Sequence, residues 1–376
     1  MIGIITFHGS HNYGSVLQAY ATQKMVKDLG YESEIINFRM KSQKDYYSLY
    51  PFNYGIRTII GNGLLLPYHS KRIDRANKFE NFINDRYSLS GGELETYDEL
   101  RTVASKYDIY LTGSDQIWSN RIPELVHSDT DYTGAYFLDF VQNGKKKISF
   151  ASSVGEANEN DLADKVKYLK QFSAISTREN YGVDLLSKIS GKKVTKVLDP
   201  TLMIPKEDWI SLARKTNPLV KGDYIFLYTL RGIRKVNTWG KYLSRLSKKL
   251  KMPVVCISPF YPVYIPEIKN IYNAGPEDFI NLINNASIVF TDSFHGTAFS
   301  INLNKPFYSL TPGKEGDVRK REVIDMLGVG DRIITSHEEV EKITEWRLDY
   351  STRITNKKLE ELRIEGLDYL RKAIDD

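Results

Sequence analysis

Ile288-Val-Phe-Thr291 is a short apolar, β-favouring run, and Asp292-Ser-Phe-His-Gly-Thr297 follows it directly. The pattern predicts a strand, a tight turn and a helix, with His295 beside the helix N-terminus. Such a terminus suits an anion, because free backbone N–H groups and the positive dipole end point at it. A histidine there adds a donor, or a charge when protonated. Gly296 completes the turn, and Ser293, Thr297 and Ser300 could add hydroxyls. The competing reading is that His295 caps its own helix. Three more polar loops follow strand-like runs: Asn12-Tyr13-Gly14-Ser15, Gly113-Ser-Asp115-Gln116 and Arg178-Glu179. In parallel sheets all four lie at the carboxyl edges, facing one cleft. Arg178 could grip a carboxylate or phosphate with its planar fork, or form a surface salt bridge. Asp115 could act as a base or hold a sugar hydroxyl, or simply close a turn. Lys314, Arg319, Lys320 and Arg321 form a basic cluster, either a solvated face or a second grip on the anion at His295.

Two patterns could ligate metal. His8-Gly-Ser-His11 has two imidazoles but no third ligand nearby. Asp129-Thr-Asp131 has the D-x-D form of metal-dependent sugar-nucleotide transferases, yet follows no clear strand. The expectation is therefore no metal. Cys256 is the only cysteine, which excludes a disulfide framework or a Cys-based metal site within one chain. Its apolar setting reads as a buried small hydrophobe.

The elements that position these loops begin with a strand at Ile2–Phe7, a helix with Leu17, Tyr20, Ala21, Met25 and Leu29 on one face, and a strand at Glu34–Phe38. This is a β-α-β unit without the G-x-G-x-x-G of a dinucleotide fold. Strands near 108–111, 147–151, 174–176 and 194–198, with a helix near 161–172, read as a second set of β-α-β units in the same sheet. Pro200–Pro218 is the boundary. Beyond it the pattern restarts, with strands near 224–228, 254–257, 288–291 and 306–310 and helices over 237–250 and 276–285. An amphipathic helix over 356–373 ends the pattern.

At 376 residues, two domains are the default. The expected division is residues 1–205, with a basic and aromatic insertion near 39–100, then 206–345, then a C-terminal helix in 346–376. Hydrophobic residues make up 41% and charged residues 26%, the balance of a globular protein. A net charge of +5 suits anionic substrates and is too weak to argue for nucleic acid. The N-terminus has no signal-peptide pattern and no window has the apolar length of a spanning helix, so the expected location is the cytoplasm. The insertion interleaves Arg39, Lys41, Lys44, Arg57, Lys71, Arg72, Arg75, Lys78 and Arg86 with Tyr46, Tyr47, Tyr50, Phe52 and Tyr68. It is either an ordinary packed insertion or a contact for the inner face of an anionic membrane.

Asn-Tyr-Gly-Ser-Val-Leu-Gln-Ala-Tyr-Ala from Asn12, Leu-Thr-Gly-Ser-Asp-Gln-Ile-Trp from Leu111, Thr-Arg-Glu at 177–179, Val-Leu-Asp-Pro-Thr-Leu from Val197 and Thr-Asp-Ser-Phe-His-Gly-Thr from Thr291 occur in this order. Together they resemble the polysaccharide pyruvyl transferase family. The resemblance implies an α/β fold of two Rossmann-like domains with mostly parallel sheets facing a cleft, similar to two-domain, GT-B-like glycosyltransferases. It also implies transfer of pyruvate from phosphoenolpyruvate onto two hydroxyls of one sugar, free or lipid-linked, with phosphoenolpyruvate as a substrate and no cofactor. His295 and Arg178 would hold or activate the donor with Ser293, Gly296 and Thr297. Arg319 fits the spacing to Leu327-Gly328, and Lys314 is the alternative. Addition at C2 requires a proton at C3 and a base near the sugar: His295 is assigned the acid work and Asp115 the base. Asn12, Tyr13, Gly14, Ser15 and Gln116 fall to the acceptor. The alternatives are a sugar-nucleotide glycosyltransferase on the same fold and a non-catalytic sugar-binding protein.

Overall fold

A computed structural model of the chain describes residues 1–51, 55–119, 121–122, 133–214, 216–311, 318–344, 346–350 and 355–376. Asp129, Asp131, Phe52 and Lys314 lie outside the described residues. The chain divides into two compact units. The first comprises 1–48, 83–203 and 360–376, and the second 49–82 and 204–359. The division is thus discontinuous: 49–82 belongs with the second unit and the end of the C-terminal helix with the first.

The first unit is built on β1 (Ile2–Ile5), β2 (Ser33–Ile35), β3 (Ile109–Thr112) and β4 (Lys146–Ser149), in the order β2-β1-β3-β4. All pairs are parallel, with Ile4 opposite Leu111 and Leu111 opposite Ile148. β1 is buried along its whole length, the pattern of a parallel strand covered on both faces. β5 (Ile175–Thr177) and β6 (Val194–Lys196) pair with each other as a separate two-stranded sheet. They do not continue the main sheet as expected. The link to β4 is a single bridge, Ile148 to Ala174, so the ladder breaks after one step. The helix foreseen near 161–172 is reduced to a 3-10 turn, Ala163–Lys165, and one turn of α-helix, Val166–Leu169.

The helix Tyr13–Asp28 is buried around most of its circumference, not along one face. Its polar residues have internal partners: Gln18 Nε2 donates to Thr6 Oγ1 at 2.8 Å, and Thr22 Oγ1 to Gln18 O at 2.9 Å. The C-terminal helix Thr355–Asp375 docks its last turns on this unit. Arg363 Nε donates to Leu202 O at 2.7 Å, and Tyr369 Oη to Ser149 O at 2.9 Å.

The second unit holds β7 (Ile225–Tyr228), β8 (Val254–Ile257), β9 (Ile268–Asn270), β10 (Ile288–Thr291), β11 (Phe307–Leu310) and β12 (Ile333–Ile334). Their order is β12-β11-β10-β7-β8-β9, again all parallel. This is the doubly wound order, which reverses between β7 and β10. The first unit reverses between β1 and β3. In such sheets ligands bind outside the carboxyl ends of the strands at the reversal. Among the described residues, no helix is long and apolar enough to cross a membrane.

Gly3 marks the tightest packing in β1. A Cβ there would lie 2.3 Å from the Tyr107 ring. That ring is fully buried and tethered through Tyr107 Oη to Glu34 Oε2 at 2.6 Å, so it has little room to yield. Gly3→Ala is expected to destabilise the protein by about 1–3 kcal/mol, read as a lower urea midpoint with an unchanged slope.

Candidate active site

In the first unit the reversal point lies between the loop after β1 and the loop after β3. Asn12 caps the helix after β1, accepting from Gly14 N at 3.0 Å with its Oδ1. That places Ser15 in the helix's first turn. Thr6 Oγ1 donates to Ser114 O at 2.9 Å, tying the two loops together. Asp115 has φ +79°, a left-handed conformation that aspartate tolerates better than most residues. Its Oδ2 accepts from Ser15 Oγ at 2.6 Å, and its Oδ1 from Gln116 N at 2.8 Å. Phe7, Asn12, Ser15, Tyr46, Tyr47, Asp115 and Gln116 line a cavity of about 120 Å³ here. Tyr46 and Tyr47 meet edge to face with ring centroids 5.0 Å apart. A larger hollow of about 730 Å³, lined by Met1, Lys24, Gly30 and Glu32, lies at the opposite, amino edge of β1, away from these groups.

Arg178 follows β5 and is 4% exposed. Its Nη1 donates to Asp199 Oδ2 and, at 3.4 Å, to Ser114 Oγ. Asp115 Oδ1 lies 3.7 Å from Nη2, and Glu179 Oε2 lies 3.9 Å from Nε. Burial opposes the charge, and Asp199, Asp115 and Glu179 more than offset it, so the guanidinium is held above its ordinary pKa. The fork expected to offer itself to an anion is instead compensated by three carboxylates, and the pair is buried, not on the surface. Asp199 is itself fixed, its Oδ1 accepting from Thr201 N at 2.9 Å and Thr201 Oγ1 at 2.6 Å. Glu179 Oε1 accepts from Ser153 Oγ at 2.8 Å and Val154 N at 2.9 Å.

In the second unit the helix Phe294–Asn302 starts just past β10. Ser293, not His295, caps it, its Oγ accepting from Gly296 N at 3.3 Å. His295 occupies the first turn, where N–H groups lack intrahelical acceptors. It is 8% exposed, its ring edge-on to Phe294. Gly296 lets the helix sit on the end of β10: a Cβ there would lie 2.3 Å from Thr291 Oγ1. The Thr297 hydroxyl bonds inward, to Ser293 O at 3.1 Å and Ser309 Oγ at 3.2 Å, and Ser300 Oγ donates to Gly296 O at 2.7 Å.

Asp292 spans the reversal point of this sheet. Its Oδ2 accepts from Thr229 Oγ1 at 2.5 Å and its Oδ1 from Leu230 N at 2.9 Å, both just past β7. Burial pushes its carboxyl up, and Thr229, Leu230, Lys320 and Arg231 offset this only in part. Lys320 is fully buried. Its Nζ donates to Asp292 O at 2.9 Å and Leu310 O at 3.1 Å, at the carboxyl ends of β10 and β11. In the sequence Lys320 is one member of a basic run in which Arg319 has the favoured spacing; Arg319 is part-buried on the same helix, Val318–Met326. Nothing in the sequence alone marks Asp292 as the residue that joins the two loops. The missed signal for Lys320 was its place within the first turn of a helix that follows a strand.

Two other candidates have structural partners. The ring nitrogens of His8 face Asn37 Oδ1 at 3.0 Å and Thr6 O at 3.3 Å. Cys256 is buried in β8, and burial first, then the charge of Asp292, pushes its thiol up. Among the described residues no group of three or more His, Cys, Asp or Glu side chains could hold a metal.

Residues 12–313 match the family described as polysaccharide pyruvyl transferase. No curated protein sequence matches the chain. Among solved structures it is similar to UDP-N-acetylglucosamine 2-epimerase from Rickettsia bellii, at 10% identity and TM-score 0.56, over 100% of this chain and 96% of that one. It is also similar to the UDP-GlcNAc 2-epimerase of Methanocaldococcus jannaschii in complex with UDP-GlcNAc and UDP, at 13% identity and TM-score 0.53, over 97% and 98%. At these identities the likeness is one of fold, the two-domain GT-B-like α/β architecture.

The geometry separates Asp199 from Asp115. Asp199→Ala leaves a buried guanidinium short of its nearest carboxylate and is expected to cost about 3–5 kcal/mol. Asp115→Asn keeps an acceptor for Ser15 or Gln116 and should cost less than half as much. Denaturant unfolding of both variants checks the order.

Proposed function

Because the chain belongs to the polysaccharide pyruvyl transferase family, we propose that it moves pyruvate from phosphoenolpyruvate to two hydroxyls of one sugar, giving a cyclic ketal and phosphate. The sugar belongs to a surface polysaccharide or its lipid-linked precursor, and the reaction takes place in the cytoplasm. The observation that carries the donor half is the turn after β10, where His295 lies in the first turn of a helix and the buried Lys320 bonds to the backbone of Asp292, three residues before it. A donor with a phosphate and a carboxylate on one small frame needs that combination of donors and positive charge.

In this reading a proton passes from His295 to C3 of phosphoenolpyruvate, and one sugar hydroxyl adds at the cation-like C2. Phosphate then leaves, and the second hydroxyl closes the ketal. The two hydroxyl protons balance the one gained at C3 and the one carried by phosphate. Asp115, held between Ser15 and Gln116 in a cavity with two tyrosine rings, takes the acceptor's proton. Asn12, Tyr13, Gly14 and Gln116 shape that side. Ser293, Gly296 and Thr297 build the donor turn, and Arg319 contacts the donor from the helix that Lys320 anchors. Arg178 is a positioning residue for Asp115, because three carboxylates already compensate its charge. The donor's negative charge is met by His295, Arg319 and the helix terminus, so turnover should persist in excess chelator.

The test is phosphate release from phosphoenolpyruvate against a panel of acceptor sugars. His295→Ala and Asp115→Asn should each lower turnover by about a hundredfold or more. Arg319→Ala should weaken donor binding by about tenfold or more. Thermal shift adds a second readout: phosphoenolpyruvate should stabilise the protein and nucleotide sugars should not. Stabilisation by nucleotide sugars alone, or activity abolished by chelator, would assign the site to sugar-nucleotide chemistry.

A further inference from the structure

The helix Ile56–Leu65 of the second unit has its apolar stripe on the wrong side for a surface helix. Ile56, Ile59 and Ile60 are 72%, 56% and 52% exposed, and Leu66, just past its end, is 57% exposed. Spacings of three and four residues put the three isoleucines on one face. The opposite face carries the buried Gly61 and Leu65. Gly61 is where this helix rests on its own unit: a Cβ there would lie 3.0 Å from Phe260 O and 3.2 Å from the Tyr261 ring. Tyr261 Oη also donates to Arg57 O at 3.1 Å. The helix is therefore held by the side that carries Gly61 and Leu65, with its isoleucines outward. Scattered exposed apolar residues are ordinary, but a face of them on one helix marks a contact surface.

The surrounding charge selects the partner. From Tyr46 to Ile73 the chain has no Asp or Glu, and its charged residues are Arg57, Lys71 and Arg72. Arg57 and Lys71 are exposed, while Arg72 stacks over the Tyr50 ring at 5.0 Å. An apolar helix face in a stretch whose only charges are basic matches an anionic bilayer surface, where isoleucines enter the headgroup boundary and the cations face lipid phosphates. It fits a second copy poorly, because a two-fold contact through this face would set basic residues of one copy against basic residues of the other, with no acidic residue of the stretch to answer them.

We propose that the Ile56–Leu66 face is a membrane-docking surface that lies in the interface of an anionic bilayer. This reading is independent of the pyruvyl-transfer chemistry and stands or falls separately. The experiment is co-sedimentation of the full chain with phosphatidylglycerol vesicles and with phosphatidylcholine vesicles. Wild type should pellet with phosphatidylglycerol, less so as salt is raised, and weakly with phosphatidylcholine. Ile59→Asp with Ile60→Asp should abolish pelleting without lowering the melting temperature, since both side chains are exposed. Arg57→Gln with Lys71→Gln should weaken binding by about fivefold for each residue, from about 1 kcal/mol per basic group near an anionic surface. Failure of wild type to pellet, equal pelleting with both lipids, or unchanged binding by the isoleucine variant overturns the proposal. So does a lipid-free dimer, seen by sedimentation velocity, that the isoleucine variant splits, because it gives the face to a second copy.

Discussion

Where the strand order of a parallel sheet reverses, the two central loops run away from each other, and something must hold the opening in shape. In each unit of this protein an aspartate carboxylate does so. Asp115, after β3, accepts from Ser15 of the helix that follows β1, and Asp292, after β10, accepts from Thr229 after β7. Both bonds are short and buried, and each joins the loops on the two sides of the reversal. The catalytic candidates sit on these clasps or beside them. Asp115 is itself a candidate, and His295 lies three residues beyond Asp292.

The two clasps differ in how their charge is balanced. Asp115 has an arginine nearby, but that arginine is shared with Asp199 and Glu179, so the buried group is formally anionic. Asp292 has the opposite surroundings, with Lys320, Arg231 and a helix N-terminus gathered near it. The charge near the clasp is thus acidic in the first unit and basic in the second, and the proposed placing of acceptor and donor rests on that difference.

Much of this was legible in the sequence. The run Ile288–Thr291 is the strand β10 as read, and Pro276–Asn285 is the helix as read, because β-branched runs, a first-turn proline and an apolar face are local signals. The polar loops after strands were also visible. Strand order was not, since it depends on contacts far apart in the chain, so Asp115 could be picked out as a polar loop residue but neither its role nor that of Asp292 in spanning a reversal point could be read. Arg178 shows the same limit: its type suggests an anion grip, but Asp199, 21 residues away, decides its environment. In the helix Tyr13–Asp28 the apolar face was legible, but not the burial of the polar side, whose Gln18 and Thr22 bond within the unit. The outward isoleucines of Ile56–Leu65 were hidden for the converse reason, because an apolar stripe carries no mark of which way it faces.

The central claim is that one protein joins phosphoenolpyruvate to two hydroxyls of a sugar. The most direct measurement supplies phosphoenolpyruvate labelled with carbon-13 at C2, together with an acceptor sugar, and follows the label by NMR. The label should move into a quaternary ketal carbon bonded to two sugar oxygens, with phosphate released in equal amount. Label found only in free pyruvate beside unmodified sugar, or left in intact phosphoenolpyruvate with every acceptor of the panel, would contradict it.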